Sequence, residues 1–300
     1  MRSPGQKQGG FTLVEMIVVM VITGIIGGMV AIFIKAPVQG YVDSARRAEL
    51  TDIAELTDIA DTALRRLARD VRSAVPNSVR VPNPAGSNTY IEFLPTKNGG
   101  RYRKAQDCTG ACSGDVLEFG TADSKFDIIG LPVTFATGDY IVIGSTQSDG
   151  KPPYDTSNTG ILRAHDNTKT GAQTTVDFAA AAILPVWAEV QGQRFDVVDG
   201  AQQAVTYACM GTLGALDANS DGQARLVRYW HYGFNSPAQL APPLAGAGSA
   251  SALLADRVSG CEITYDAVNQ RNGLVTIRLG ITRGGESVSL YQEIHVNNVP

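Results

Sequence analysis

Hydrophobic and polar positions divide the chain into three textures. From Phe11 to Ile34 run 24 residues in which Glu15 is the sole charged side chain. As a helix this run would be ~36 Å long, enough to cross a hydrocarbon core of ~30 Å. Beyond Pro37, apolar residues fall three or four apart, at Leu50, Ile53, Leu56, Ala60, Leu64, Leu67 and Val71. Arg46, Asp52, Asp58, Arg65 and Arg69 take the other faces. That spacing predicts an amphipathic helix ending near Val75–Pro76, where proline stops it. With a bend at Pro37, the stem from Phe11 to Val75 would run to ~98 Å.

After Pro76 the texture becomes short β-rich runs between Gly, Pro, Asn and Asp clusters. Strands are expected at "TYIEFL" (89–94), "DVLEFG" (115–120), "DYIVIG" (139–144), "RFDVVD" (194–199) and "AVTYAC" (204–209). Further candidates are "RLVRYWHYGF" (225–234), "CEITYDA" (261–267), "LVTIRLGIT" (274–282) and "SVSLYQEIHV" (287–296). "RGGE" (283–286) turns the last two into a hairpin. The Ala-, Pro- and Gly-rich stretch 236–256 reads as a long surface loop inside one globular domain. The hexapeptide "ELTDIA" occurs twice in tandem, at Glu49–Ala54 and Glu55–Ala60. Six residues rotate a helix face by ~120°, so the copy reads as a tolerated local duplication rather than a repeat array.

The apolar run is too long for a secretory signal peptide, and "IFIKAPVQG" lacks a small-x-small cleavage site. A retained membrane helix follows. The leader "MRSPGQKQGG" is basic, which places the N-terminus in the cytoplasm and the rest of the chain outside it. Net charge is -4. Loss of the first ten residues would remove Arg2 and Lys7 and no acid, taking it to -6. Nothing here favours nucleic acid as a partner.

Glu15 is costly in a membrane and needs a counter-charge. No basic residue lies within a helical turn of it. Cleavage after Gly10 would create one, an α-amino group on Phe11, four residues before the acid. In a bundle of apolar stems such opposite charges pair or remain expensively desolvated, so the pair fixes register more than it adds stability.

"GGFTLVE" (9–15), followed by an apolar helix, resembles the processing site of type IV prepilins and type II secretion pseudopilins. The resemblance implies cleavage between Gly10 and Phe11 by a prepilin peptidase, N-methylation of Phe11, and pairing of Glu15 with the N-terminal amine of an adjacent subunit. It implies an α+β, pilin-like fold in which a long helical stem packs on a mostly antiparallel β-sheet domain. The expected divisions are a cytoplasmic leader (1–10), a transmembrane helix (11–34), an amphipathic stem (35–75) and a periplasmic β-rich domain (76–300). The protein would sit in the inner membrane and then pass into an extracellular filament. Its partners would be other major and minor pilins and an inner-membrane assembly platform.

Four cysteines outside the cytoplasm suggest two disulfides, with three possible pairings. Gly110 makes a tight Cys108–Cys112 loop feasible. Cys209 and Cys261 each border an expected strand, and closing that 53-residue loop would stabilise by about 4 kcal/mol in the chain-entropy model. His165, His231 and His295 are not at zinc spacing from the cysteines, and no cofactor is expected. In "DANSDG" (217–222), Asp217, Asn219 and Asp221 alternate as at the start of a calcium loop. The twelfth position is Arg228, which repels the ion, so a polar hairpin turn is the better reading and calcium a minor one. No nucleophile elbow, P-loop or metal-type helix appears, which argues against an enzyme. His231 lies in an aromatic cluster expected to be core or subunit contact.

The C-terminal stretches "LVRYWHYGFNSPAQ", "CEITYDAVNQRNGLVTIRL" and "VSLYQEIHVNNVP" resemble the O-type minor prepilins of the mannose-sensitive haemagglutinin (MSHA) pilus system. That resemblance implies a minor pilin at or near a filament tip. A J-type pseudopilin of a type II secretion system and a pilus-tip adhesin are the alternatives. A bitopic enzyme using His231 is the rival from a different class.

Overall fold

The computed structural model describes residues 12–81, 90–145, 153–157, 160–235, 248–269 and 272–298, with 31–50 and 267–269 by backbone alone. The chain divides into two compact units, Met1–Ala54 and Glu55–Pro300, so the boundary falls between the two copies of the hexapeptide.

One long helix, α1 (Leu13–Arg72), opens the fold. Helical backbone continues through Pro37, although proline supplies no N–H to the preceding turn. The helix stops at Arg72 rather than at Val75. Ser73 and Ala74 donate three residues back, to Asp70 and Val71, and Val75 donates to the Leu94 carbonyl instead of to the helix.

The strands follow in chain order: β1 (Tyr90–Phe93), β2 (Thr96–Tyr102), β3 (Ala122–Ile129), β4 (Val133–Phe135), β5 (Tyr140–Ile143), β6 (Leu162–Ala164) and β7 (Gly171–Gln173). They continue with β8 (Thr175–Ile183), β9 (Arg194–Val198), β10 (Val205–Met210), β11 (Ala224–Trp230), β12 (Ala250–Asn269), β13 (Asn272–Arg283) and β14 (Glu286–Asn297). They form one six-stranded sheet in the order β1-β10-β11-β12-β13-β14, a second in the order β6-β5-β9-β2-β3-β8, and the pair β4-β7. Every pairing is antiparallel. The fold is therefore α+β, as the alternation of a helical period with strand runs implies.

In the second unit, Leu56, Ala60, Ala63, Leu64, Leu67, Ala68 and Val71 of α1 bury against the first sheet. They meet Phe93, Tyr207, Leu226, Ile263, Val275, Ile277, Leu279, Ile281, Ile294 and Val296, the inward residues of its strands. The second sheet has its own core around Tyr102, Phe126, Phe135, Phe195 and Val197.

The hairpin β13–β14 pairs Arg283 with Glu286 across a two-residue loop. Gly284 and Gly285 both have positive φ, 58° and 89°, which this loop geometry requires. The 20-residue β12 is kinked between Val258 and Gly260, so its first part pairs with β11 and its second with β13. Arg257, with φ 53°, takes up the turn.

Three expectations fail. "DVLEFG" (115–120) is extended but not a strand. Leu117 donates to Arg103 and Gly120 to Leu184, while the Asp115 carbonyl accepts from Asp127, so no two neighbours serve one partner. The expected loop 236–256 gives up Ala250–Asp256 to β12, while 236–247 lies outside the described residues. "RYWHYGF" leaves the strand after Trp230. His231 turns the chain with φ 59° and is exposed, not core.

Candidate functional site

The sequence points to the N-terminal end of α1 as the site. Gly10 and Phe11, the expected cleavage and methylation positions, lie outside the described residues. Just inside them, Thr12 precedes the helix and its carbonyl accepts from Met16 N–H at 3.2 Å. Its hydroxyl accepts from Glu15 N–H at 3.3 Å. Thr12-Leu13-Val14-Glu15 thus has the spacing of a capping box, with a helix-starting hydroxyl three residues before an acid. Glu15 also sits in the first turn, where the helix dipole favours a negative charge. The sequence reading passes over Thr12, although the T-x-x-E spacing carries the signal.

Glu15 is exposed, and among the described residues no cation lies within ion-pair distance of it. The side chains that follow it are equally uncovered. Leu13–Val30 has mean hydropathy 2.4, enough length and apolarity to cross a membrane, and none of it is buried within the chain. Uncovered apolar surface of this extent fits a surrounding of lipid or apolar helices. Thr23 satisfies its hydroxyl within the helix by donating to the Val19 carbonyl. At Gly24, Gly27 and Gly28 an added Cβ would meet nothing within 4 Å, so these positions are open notches of the kind that admit close helix approach.

In the second unit, side chains tie the end of α1 to the first sheet. Asp70 Oδ2 accepts from Tyr207 Oη at 2.6 Å and from Arg228 Nε at 3.0 Å. Arg228 Nη2 donates onward to Gln202 Oε1 at 2.6 Å. Burial, and then the Asp70 hydrogen bond, push the Tyr207 phenol far above its ordinary range, so it remains a donor. A second cluster joins Arg80 to Glu92 at 2.6 Å, with Tyr232 donating to Glu92 Oε1 at 2.9 Å and Arg80 lying 3.6 Å over the Tyr154 ring.

Disulfides join Cys108 to Cys112 and Cys209 to Cys261. The first closes a loop near β3, and the second joins β10 to β12. The 217–222 stretch is a turn closed by the Leu216–Gly222 bridge. Asp217 Oδ1 accepts from the amides of Asn219 and Asp221. The Asp221 carboxylate takes Gly284 N–H at 2.7 Å and Arg257 Nε at 2.9 Å. These carboxylates serve the turn and its contact with the β13–β14 loop. Among the described residues no three His, Cys, Asp or Glu side chains converge to hold a metal. His165 is buried against the Phe135 ring at 4.0 Å, with Nε2 against the Lys169 carbonyl, whereas His231 and His295 are exposed.

The family model described as the prokaryotic N-terminal methylation motif matches residues 5–31. No curated protein and no solved structure matches the chain. The motif implies processing by a prepilin peptidase and assembly with other pilins, and with the exposed apolar helix it fits a membrane-anchored protein. It supports a protein of the type IV pilin and pseudopilin family, whose members are structural subunits rather than enzymes.

Proposed function

We propose that this protein is a minor pilin-like subunit of a type IV pilus of the MSHA type. It is cut between Gly10 and Phe11, methylated at Phe11, and incorporated at or near the filament tip to help assembly start. The observation that carries this reading is the coincidence of three features within residues 5–31. These are the methylation motif over 5–31, an acid at Glu15 with no partner in its own chain among the described residues, and a fully uncovered apolar helix from Leu13 to Val30.

In this reading the apolar face has two successive coverings. Lipid surrounds Leu13–Val30 before assembly, and neighbouring stems surround it in the filament. Glu15 gains its counter-charge only in the second setting, from the amine of an adjacent Phe11. The globular unit faces the periplasm, then the filament surface. The 300-residue length favours a minor over a major subunit, and the C-terminal resemblance favours the MSHA type.

Sheared pili and secreted proteins from a deletion strain test the assignment. The expected result is a fall in filament number with secretion unchanged, and the subunit recovered in the pilus fraction far below the major pilin. A secretion defect with normal pili would move the protein to the J-type pseudopilins.

A further inference from the structure

The two disulfides differ in exposure. Cys209 is fully buried in the core of the first sheet, and its partner Cys261 is half-buried at the edge of that core. Cys108 and Cys112 are both exposed, as are Asp107, Thr109, Gly110, Ala111 and Ser113 around them. A thiolate can therefore reach the Cys108 and Cys112 sulfurs without any opening of the fold, whereas Cys209 is closed to it and the half-buried Cys261 is less open than either.

The backbone around the exposed pair is held independently of the sulfur–sulfur bond. Asp107 and Ser113 exchange both N–H···O=C bonds, each at 2.9 Å, immediately outside the two cysteines. Asp107 Oδ1 also accepts from Thr109 N–H at 3.3 Å and Thr109 Oγ1 at 3.2 Å, fixing the first half of the loop. The loop's stem is anchored by Lys104 to Glu189 at 2.6 Å and Arg103 to Asp127 at 3.2 Å. Two thiols released here stay close, so the effective concentration for reclosure is high.

We propose that Cys108–Cys112 is a thiol-exchange site, a disulfide that opens and recloses against small thiols while the rest of the fold stays intact. In the first step a thiolate attacks one cysteine sulfur. A new sulfur–sulfur bond forms between the small thiol and that cysteine, the Cys108–Cys112 bond breaks, and its electron pair leaves on the other cysteine, which takes a proton from water. The released thiol, as thiolate, either expels the small thiol and restores the ring, or persists while a second small thiol resolves the mixed disulfide. The second route yields two cysteine thiols and one oxidised small-thiol dimer. The cysteines are reduced and the small thiol is oxidised, so the step balances.

The test uses the full chain in detergent micelles, treated with reduced glutathione under native conditions and quenched at intervals with an alkylating agent. Peptide mass spectrometry reads each cysteine, and near-ultraviolet circular dichroism reads the fold. Cys108 and Cys112 are expected to appear as the glutathione adduct and then as alkylated thiols, at least about tenfold faster than Cys209 and Cys261, with the dichroism unchanged. Replacement of reduced glutathione by its oxidised disulfide dimer, which is reduced as the cysteines are oxidised, should restore the ring. Asp107→Ala, which removes both Thr109 contacts, should slow reclosure several-fold without altering access. Equal labelling of the two pairs, earlier labelling of Cys209–Cys261, or no labelling of any cysteine before denaturant is added would overturn the proposal.

Discussion

The Thr12 hydroxyl accepts the Glu15 amide at the start of α1, so the acid that stands out in the apolar run is held in a defined first turn. Its carboxylate leaves the helix at a fixed height, one turn from the expected new N-terminus. Thr12→Val keeps the shape and removes the cap. Loss of a threonine cap costs about 1 kcal/mol, so the first turn should fray. Amide exchange at Glu15 in micelles is expected to speed up severalfold while exchange from Val19 onward stays unchanged. Equal protection in both proteins would remove the cap from the account.

Glu15→Ala leaves the apolar run uninterrupted and more hydrophobic, and should not disturb insertion or cleavage. It removes the sole charged side chain of this stretch, and with it the counter-charge for a neighbour's amine. Cleaved subunit should accumulate in the membrane and filament incorporation should drop about tenfold or more, as expected when a desolvated charge loses its partner. Glu15→Asp should recover part of the loss. Immunoblots of membrane and pilus fractions read both quantities.

Arg228 links the helix to the sheet through Asp70, and its side chain is 7% exposed. Arg228→Ala would leave the Asp70 carboxylate with the Tyr207 hydroxyl but no guanidinium, and would take the guanidinium from Gln202 Oε1. Breaking a mostly buried pair on one side destabilises by about 3 kcal/mol. The urea midpoint of the full chain should fall accordingly, and Arg65→Ala, at an exposed helical pair with Asp61, should shift it little.

Asp196 gives a pH signature. It lies between Val142 and Gly99 across the second sheet, and its carboxyl takes no hydrogen bond among the described residues. Burial pushes it up to about 6 from an ordinary 3.8, with Arg194 opposing part of the shift. The folded chain therefore favours the protonated form. Below about pH 4 the residue costs nothing, between about pH 4 and 6 the fold loses up to about 2–3 kcal/mol, and above that the loss is complete. Asp196→Asn is expected to raise the melting temperature at pH 7 and leave it nearly unchanged at pH 4. Thermal melts of the two proteins at both pH values check this, and an equal gain at pH 4 would contradict it.

Periodicity made the stem legible, because Leu56, Ala60, Leu64, Leu67 and Val71 place one apolar face against one sheet. The hairpin β13–β14 was equally clear, since Val275, Ile277, Leu279 and Ile281 alternate before a Gly-Gly turn. The second sheet was not. β2 is "TKNGGRY", whose Asn and glycines read as a loop; Gly99 and Gly100 are there because a Cβ would strike the Phe195 carbonyl at 2.6 Å or the Phe195 ring at 2.8 Å. "DVLEFG" had the composition of a strand, but its partners lie on three different segments. Such cross-chain choices leave no local trace. The Asp70–Tyr207–Arg228 contact, at separations of 137 and 158 residues, leaves none either.

Assembly in this reading depends on a charge that exists only after the chain is cut. The direct measurement is the intact mass and N-terminal peptide of the protein purified from cells that assemble filaments, beside Gly10→Val. The unaltered protein is expected to begin at Phe11 with one added methyl group, and Gly10→Val to retain residues 1–10 and stay out of filaments. An unaltered protein that keeps residues 1–10 in the filament, or a Gly10→Val protein that is cut and assembled normally, would contradict it.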